Sequence, residues 1–319
     1  MRHAGDHCGS PGGGPALRPH FTFRTGGRRG ESHPSWVADL RFQDVGPGPS
    51  AARSGLRTPY IRGMSTSRGR RALRRWIPNQ HGAWAMLLVP FLAGALLGGV
   101  VGRHALLLPA WLLAYCTAFH GQQYVRLRRL SRNPRAPRRH LAPLAGFGAA
   151  FVLCAVPLAV AHPWLLLAAL CAAPFFAVNI VYAYRNEERA TVNGIVAVVP
   201  ACGMLLVSDR LGSGTVDSGA WTAAVACLLY FTGTVLYVKT MIRERGSEAF
   251  RVASAIYHGL AVVAAVSLDP WLAVPFVVFL LRAVAMPGRD VRVAVVGAVE
   301  VLCSVLLLAF IVCGHLFPC

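Results

Sequence analysis

The sequence predicts an all-α, polytopic membrane protein of about nine transmembrane helices. Three observations carry this. Nine apolar spans follow residue 80, and the arginines between them fall almost entirely on one side. Mean hydropathy is +0.49, with 55% hydrophobic and only 14% charged residues. A chain this apolar has too little polar area to dress a soluble surface.

The spans run over 82–102, 105–125, 141–161, 164–184, 194–208, 220–241, 252–268, 271–286 and 293–314. Several approach the ~20 residues needed to cross ~30 Å of hydrocarbon, while the fifth and eighth are short. Before the first span and in the even-numbered loops stand twenty-one basic residues, from Arg68 to Arg292, including seven arginines between Arg126 and Arg139. The odd-numbered loops hold Arg103 and Arg210 alone. Short cytoplasmic loops carry the positive excess, which predicts the N-terminus inside and the C-terminus outside. The net charge of +19 is thereby accounted for without nucleic acid. Expected partners are the lipid bilayer and its anionic headgroups.

Residues 1–63 are rich in Gly, Pro, Arg and Ser and show no apolar periodicity, so they read as a disordered tail or an over-extended start, with Met64 as the alternative beginning. Residues 64–77 form a basic juxtamembrane lead, 78–315 the nine-helix membrane domain, and 316–319 an external tail. Trp164, Trp221 and Trp271 each open an inward-running span at the outer interface, and Trp76 sits at the inner one. Pro90, Pro109, Pro157, Pro174, Pro200 and Pro275 lie inside spans and predict kinks. Gly94, Gly98 and Gly102 predict close helix approach. The nine cysteines are scattered singly, without metal-ligand spacing.

Polar side chains gather at the cytoplasmic ends. Asn79, Gln80 and His81 enter the first span; His120, Gln122, Gln123 and Tyr124 leave the second. Asn179, Tyr182 and Asn186 form an i, i+3, i+7 stripe; Tyr237, Thr240 and Glu244 form another, as do Arg251, Ser254 and His258. Intramembrane polar groups are costly unless they face the bundle or water. Two readings follow: a polar cavity open to the cytoplasm, or interfacial snorkelling and interhelical hydrogen bonding. Glu300 stands alone about two turns into the ninth span, where it must be protonated or paired, with Arg282, His258 or His81 as partner.

The stretch PNQHGAWAM (Pro78–Met86) resembles the opening signature of the YwiC-like family of bacterial membrane proteins. NPRAPRRHLAPL (Asn133–Leu144), RNEERATVN (Arg185–Asn193) and YVKTMIRERGSEAFRVASAIYH (Tyr237–His258) support it. The resemblance implies a protein of the bacterial cytoplasmic membrane and brings no assigned reaction. A more distant likeness is to UbiA-type prenyltransferases, which also have nine helices with an inside N-terminus. That likeness implies Asp-rich motifs, NxxxDxxxD and DxxxD, holding Mg²⁺ against a prenyl diphosphate. This chain departs from them: the loop after the second span has no Asp or Glu, and after the sixth the nearest counterpart is Glu244 and Glu248. Mg²⁺ is implied only under this likeness, and no other cofactor is identified.

The leading reading is a ligand site for a lipid-like or anionic amphipathic molecule, such as an isoprenoid or quinone. Asn79, His81, His120, Gln123, Asn179, Asn186, Arg243, Glu244 and His258 would line it; no residue is assigned a catalytic role. Alternatives are a prenyltransferase lacking the first Asp-rich motif, a proton-coupled transporter using Glu300 and a histidine, and a structural or haem-binding protein.

Overall fold

The computed structural model describes residues 76–78 and 81–316, the His81 side chain excepted. All belong to one unit, Gly63–Cys319. The expected tail 1–63, most of the basic lead and residues 317–319 lie outside the described residues.

Among the described residues there are nine long helices and no strand: α1 (His81–Leu97), α2 (His104–Leu130), α3 (Leu141–Ala161), α4 (Trp164–Arg185), α5 (Thr191–Ser213), α6 (Ser218–Ile242), α7 (Glu248–Leu268), α8 (Ala273–Ala285) and α9 (Val293–Leu316). A short helical turn, Arg135–Arg138, precedes α3, and a 3₁₀ turn, Pro270–Leu272, precedes α8. Six of these helices (α3, α4, α5, α6, α7 and α9) are long and apolar enough to cross a membrane. Helix α2 is long but carries Arg126, Arg128 and Arg129 in its final turns, and α1 and α8 are shorter.

Local chemistry sets the ends. Helix α1 stops five residues before the expected limit because Gly98 leads into Gly99 at φ +85°, a left-handed conformation open to glycine. Asn186 at φ 62° closes α4, and Gly214 at φ 85° closes α5, which runs longer than its apolar span. Asp217 caps α6 by accepting the Ala220 N–H at 2.7 Å. Pro275 falls in the first turn of α8, where no intrahelical N–H is needed, so the expected kink there has no cause.

Helix α6 is the most enclosed of the six, and the main core gathers around it from α1, α5, α7, α8 and α9. Tyr230 and Phe231 of α6, Phe276 and Phe279 of α8, Leu205 of α5 and Leu307 of α9 fill this core. By contrast α3 and α4 present Leu153, Val160, Leu166 and Leu170 outward, as lipid-facing helices do. Helices α1 and α5 meet almost backbone to backbone. A Cβ on Gly94 would lie 2.1 Å from the Leu205 carbonyl oxygen, and one on Gly98 2.2 Å from that of Asp209. Gly212 of α5 returns the contact against Gly98 and Gly99. Gly102, expected to share this role, has nothing near its Cβ position.

Candidate functional site

A cavity of about 240 Å³ opens among α1, α2, α4 and α5. Its apolar wall comes from Met86 and Leu87 of α1, Trp111 and Phe119 of α2, Phe176 of α4 and Pro200 of α5. The Trp111 indole donates to the Leu87 carbonyl at 3.2 Å, which holds the ring against the wall, and Tyr115 packs edge-on to Trp84. Its polar rim is Gln122, Gln123, Asn179, Glu188 and Asn193.

The rim is wired together by Glu188, in the turn between α4 and α5. The Gln123 amide donates to Glu188 Oε1 at 3.1 Å, Arg126 lies 3.2 Å from Oε2, and Asn193 Nδ2 donates to the Glu188 carbonyl at 2.8 Å. Arg126 also donates to Asn186 Oδ1 at 2.8 Å. Burial pushes the Glu188 carboxyl above its ordinary range; Arg126, Arg189 and the Gln123 hydrogen bond pull it back in part. Asn193 Oδ1 is buried and has no hydrogen-bond partner among the described residues. The amide nitrogen is committed to a carbonyl, so the unpartnered atom is an acceptor awaiting a donor.

The nine candidate residues fall in separate places. Gln123 and Asn179 line the cavity, although Asn179 Nδ2 also donates to Phe175 in its own helix. Asn186 stands one contact further out, beyond Arg126. Arg243 donates to the Arg189 carbonyl at 3.2 Å, and Glu244 sits in the α6–α7 turn, away from the lining. Asn79 and the side chain of His81 lie outside the described residues. Of the four helical stripes, those of α2 and α4 reach the cavity through Gln123 and Asn179 alone, and those of α6 and α7 do not line it.

His120 is a structural pin. Its Nε2 must donate to the Trp76 carbonyl at 2.8 Å, leaving Nδ1 to accept from His140 Nδ1 at 3.0 Å, while Arg139 donates to His140 Nε2. The ring stacks on Phe147, which packs edge-on to Trp76. This tethers the approach segment to α2. His104 does the same at the opposite end: its Nδ1 accepts from Val101 N–H, so Nε2 donates to the Ser208 carbonyl at 2.9 Å.

His258 belongs to a second polar cluster, enclosed by α6, α7, α8 and α9. Its Nδ1 donates to the Ser254 carbonyl at 2.7 Å; Nε2 has no hydrogen-bond partner among the described residues and lies 2.9 Å from a Cβ position on Gly233. The same region holds Glu300, paired with Arg282.

The cavity-lining residues outside the candidate set had a legible signal. Trp111, Tyr115, Ala118 and Gln122 recur at i, i+4, i+7, i+11, and Asn193, Ala197, Pro200 and Ala201 follow at i, i+4, i+7, i+8 on α5. What hid them was composition, because aromatic and alanine stripes in a membrane helix read as packing. Among the described residues, no three His, Cys, Asp or Glu side chains come together as a metal site.

Nine long helices, six of them membrane-scale, around a cavity with an apolar wall and a hydrogen-bonding rim define a polytopic helical membrane protein. A model described as YwiC-like protein matches residues 77–209. The uncharacterized protein YwiC of Bacillus subtilis (strain 168) is 34% identical over 239 residues, covering 74% of this chain and 97% of the relative. An uncharacterized protein of Haemophilus influenzae is 34% identical over 230 residues, covering 70% of this chain and 92% of the relative. The chain belongs to the YwiC-like family. No solved structure matches it.

Proposed function

We propose that this protein binds a lipid-like amphipathic ligand in the cavity among α1, α2, α4 and α5, reached from the cytoplasmic side of a bacterial cytoplasmic membrane. The N-terminus is then cytoplasmic and the C-terminus external, an orientation supported by the twenty-one basic residues at one end against two at the other. The observation that carries the reading is Asn193 Oδ1, which has no hydrogen-bond partner among the described residues, at the polar rim of a pocket with an apolar wall. Burying an acceptor without a donor costs about 1–3 kcal/mol, so a ligand head carrying a hydroxyl or amine is the complement. Gln122 has no hydrogen-bond partner among the described residues and adds an amide for a carbonyl or hydroxyl head.

Charge favours an uncharged head over a free anion inside the cavity. The rim carries a carboxylate, Glu188, and the nearest cation, Arg126, is already held by Glu188 and Asn186. An isoprenoid alcohol has the matching form, as does a quinone in its reduced, hydroxyl-bearing quinol form. Volume sets the reach: 240 Å³ is roughly eight liquid-water volumes at ~30 Å³ each. That is room for the head and the first part of a chain, with the remainder in the bilayer.

Native mass spectrometry of protein purified in mild detergent tests this. Wild type is expected to carry an isoprenoid or quinone adduct; Ala197→Phe, which fills the cavity, and Asn193→Ala, which removes the acceptor, are expected to lose it with the fold intact. Equal adducts in all three would overturn the reading. A second reading, proton-coupled transport, draws on the Arg282–Glu300 pair, since intramembrane ionisable groups generally mark function. The prenyltransferase reading is less supported: Glu248 is drawn to Arg251 at 2.6 Å, away from a cation site shared with Glu244.

A further inference from the structure

The seven arginines from Arg126 to Arg139 divide by what they touch. Arg126 holds Glu188 and Asn186; Arg129 donates to the Tyr184 carbonyl at 2.7 Å and lies over the Tyr184 ring at 4.4 Å; Arg139 donates to His140. These three tie helices and loops together. Arg128, Arg132 and Arg138 instead converge on one concavity of about 410 Å³, lined also by Tyr124, Ser131 and Pro134. Among the described residues none of the three has a carboxylate or carbonyl partner, and the single hydrogen bond they make there is Arg128 to the Tyr124 hydroxyl at 3.4 Å. No Asp or Glu occurs between Asp44 and Glu187, so sequence neighbours offer no neutralising carboxylate.

The concavity is built. Asn133 Oδ1 accepts the Arg135 N–H at 3.0 Å, Ser131 Oγ accepts the Asn133 N–H at 3.2 Å, and Pro137 is buried beneath the turn. These contacts order the loop that carries Arg132 and Arg138, which line the concavity together with Arg128 from the last turn of α2. Membrane orientation requires only that basic residues be numerous on one side. It does not require three unengaged guanidinium groups to share a cleft. Planar guanidinium groups match phosphate oxygens in paired, charge-assisted hydrogen bonds, and Tyr124 and Ser131 add hydroxyl donors.

We propose that this cleft is a phosphate site, occupied by the phosphodiester headgroup of an anionic lipid or by a free phosphate group, and separate from the cavity among α1, α2, α4 and α5. The test is native mass spectrometry of delipidated full-length protein titrated with phosphatidylglycerol or with diacylglycerol, which lacks the phosphate, for wild type, Arg132→Gln, Arg138→Gln and Arg135→Gln. Arg135 shares the loop and the charge but does not line the cleft, so it controls for general electrostatics. Phosphatidylglycerol retention is expected to fall about tenfold with Arg132→Gln or Arg138→Gln and to hold with Arg135→Gln. An equal loss in all three variants, or equal retention of the two lipids by wild type, overturns the proposal. Competing inorganic phosphate separates the sources. Displacement of phosphatidylglycerol at millimolar phosphate supports the phosphate group alone as ligand, and retention supports the lipid.

Discussion

Arg282 of α8 and Glu300 of α9 form a salt bridge at 2.5 Å inside the bundle, with side chains only 4% and 8% exposed. The Arg282 guanidinium lies 4.3 Å from the Tyr237 ring centroid and within 6 Å of those of Tyr230 and Phe279. Tyr230 donates to the Glu300 carbonyl and meets Ser304 at 3.0 Å. Arg282 Nε and Nη2 and Glu300 Oε2 nonetheless have no partner in good hydrogen-bond geometry among the described residues, with Thr234 and Cys303 as their polar neighbours. A buried pair with such incomplete satisfaction is weakly stabilising as a pair and strongly destabilising when halved. Glu300→Ala, which leaves the guanidinium uncompensated, is expected to cost about 3–5 kcal/mol. The double change Arg282→Met with Glu300→Leu is expected to recover most of it. Equilibrium unfolding in detergent checks both; a single variant as stable as wild type would contradict the account.

Glycine contacts between α1 and α5 yield a second expectation. Gly98→Ala must displace the Asp209 backbone, because its Cβ position lies 2.2 Å from that carbonyl oxygen. Separating the helices is expected to cost about 1–3 kcal/mol. Gly102→Ala, with nothing near its Cβ position, is expected to be neutral. Thermal melts of the two variants in parallel compare them directly, and equal melting temperatures would refute the close-packing argument.

His120 separates fold from ligand. Removing its hydrogen bonds to Trp76 and His140 by His120→Phe is expected to cost about 1–3 kcal/mol. Limited proteolysis is expected to cut near Trp76 sooner, while the ligand adduct at the cavity persists. Loss of the adduct with unchanged proteolysis would return His120 to the ligand site.

Glu188 gives a pH dependence. Its carboxyl is raised by burial, so the folded state holds the proton more tightly than the unfolded one. The stability contributed by this group is present below the ordinary carboxylate pKa of ~4.3 and is lost as pH rises through the higher folded value. Glu188→Gln keeps an acceptor for Gln123 and removes the titration. It is expected to be neutral near pH 4 and stabilising at pH 7, by under about 1 kcal/mol because the pair is partly solvated. Melts at the two pH values that show the reverse order would exclude this assignment.

Fold class and helix count could be read from hydropathy and charge, since a bilayer requires that each backbone polar group be satisfied within its own helix. The helices match the nine spans in number and order, but three ends differ by five residues: α1 stops early at the positive φ of Gly99, and α2 and α5 run past their apolar spans. Period alone also placed Gln123 and Asn179 at one depth and named Arg282 among three partners for Glu300. It did not show that His120 is consumed by Trp76 and His140, or that His258 lies in a different part of the bundle from Gln123. Helical spacing assigns a residue to a face and a depth but is silent on which neighbour that face meets. That choice rests on long-range packing: the Gly94–Gly98 seam that draws α5 against α1, and the Glu188 turn that draws α4 toward α2. Together these seams bring Gln123, Asn179, Glu188 and Asn193 to one cavity, while Arg282 meets Glu300 through the separate packing of α8 and α9.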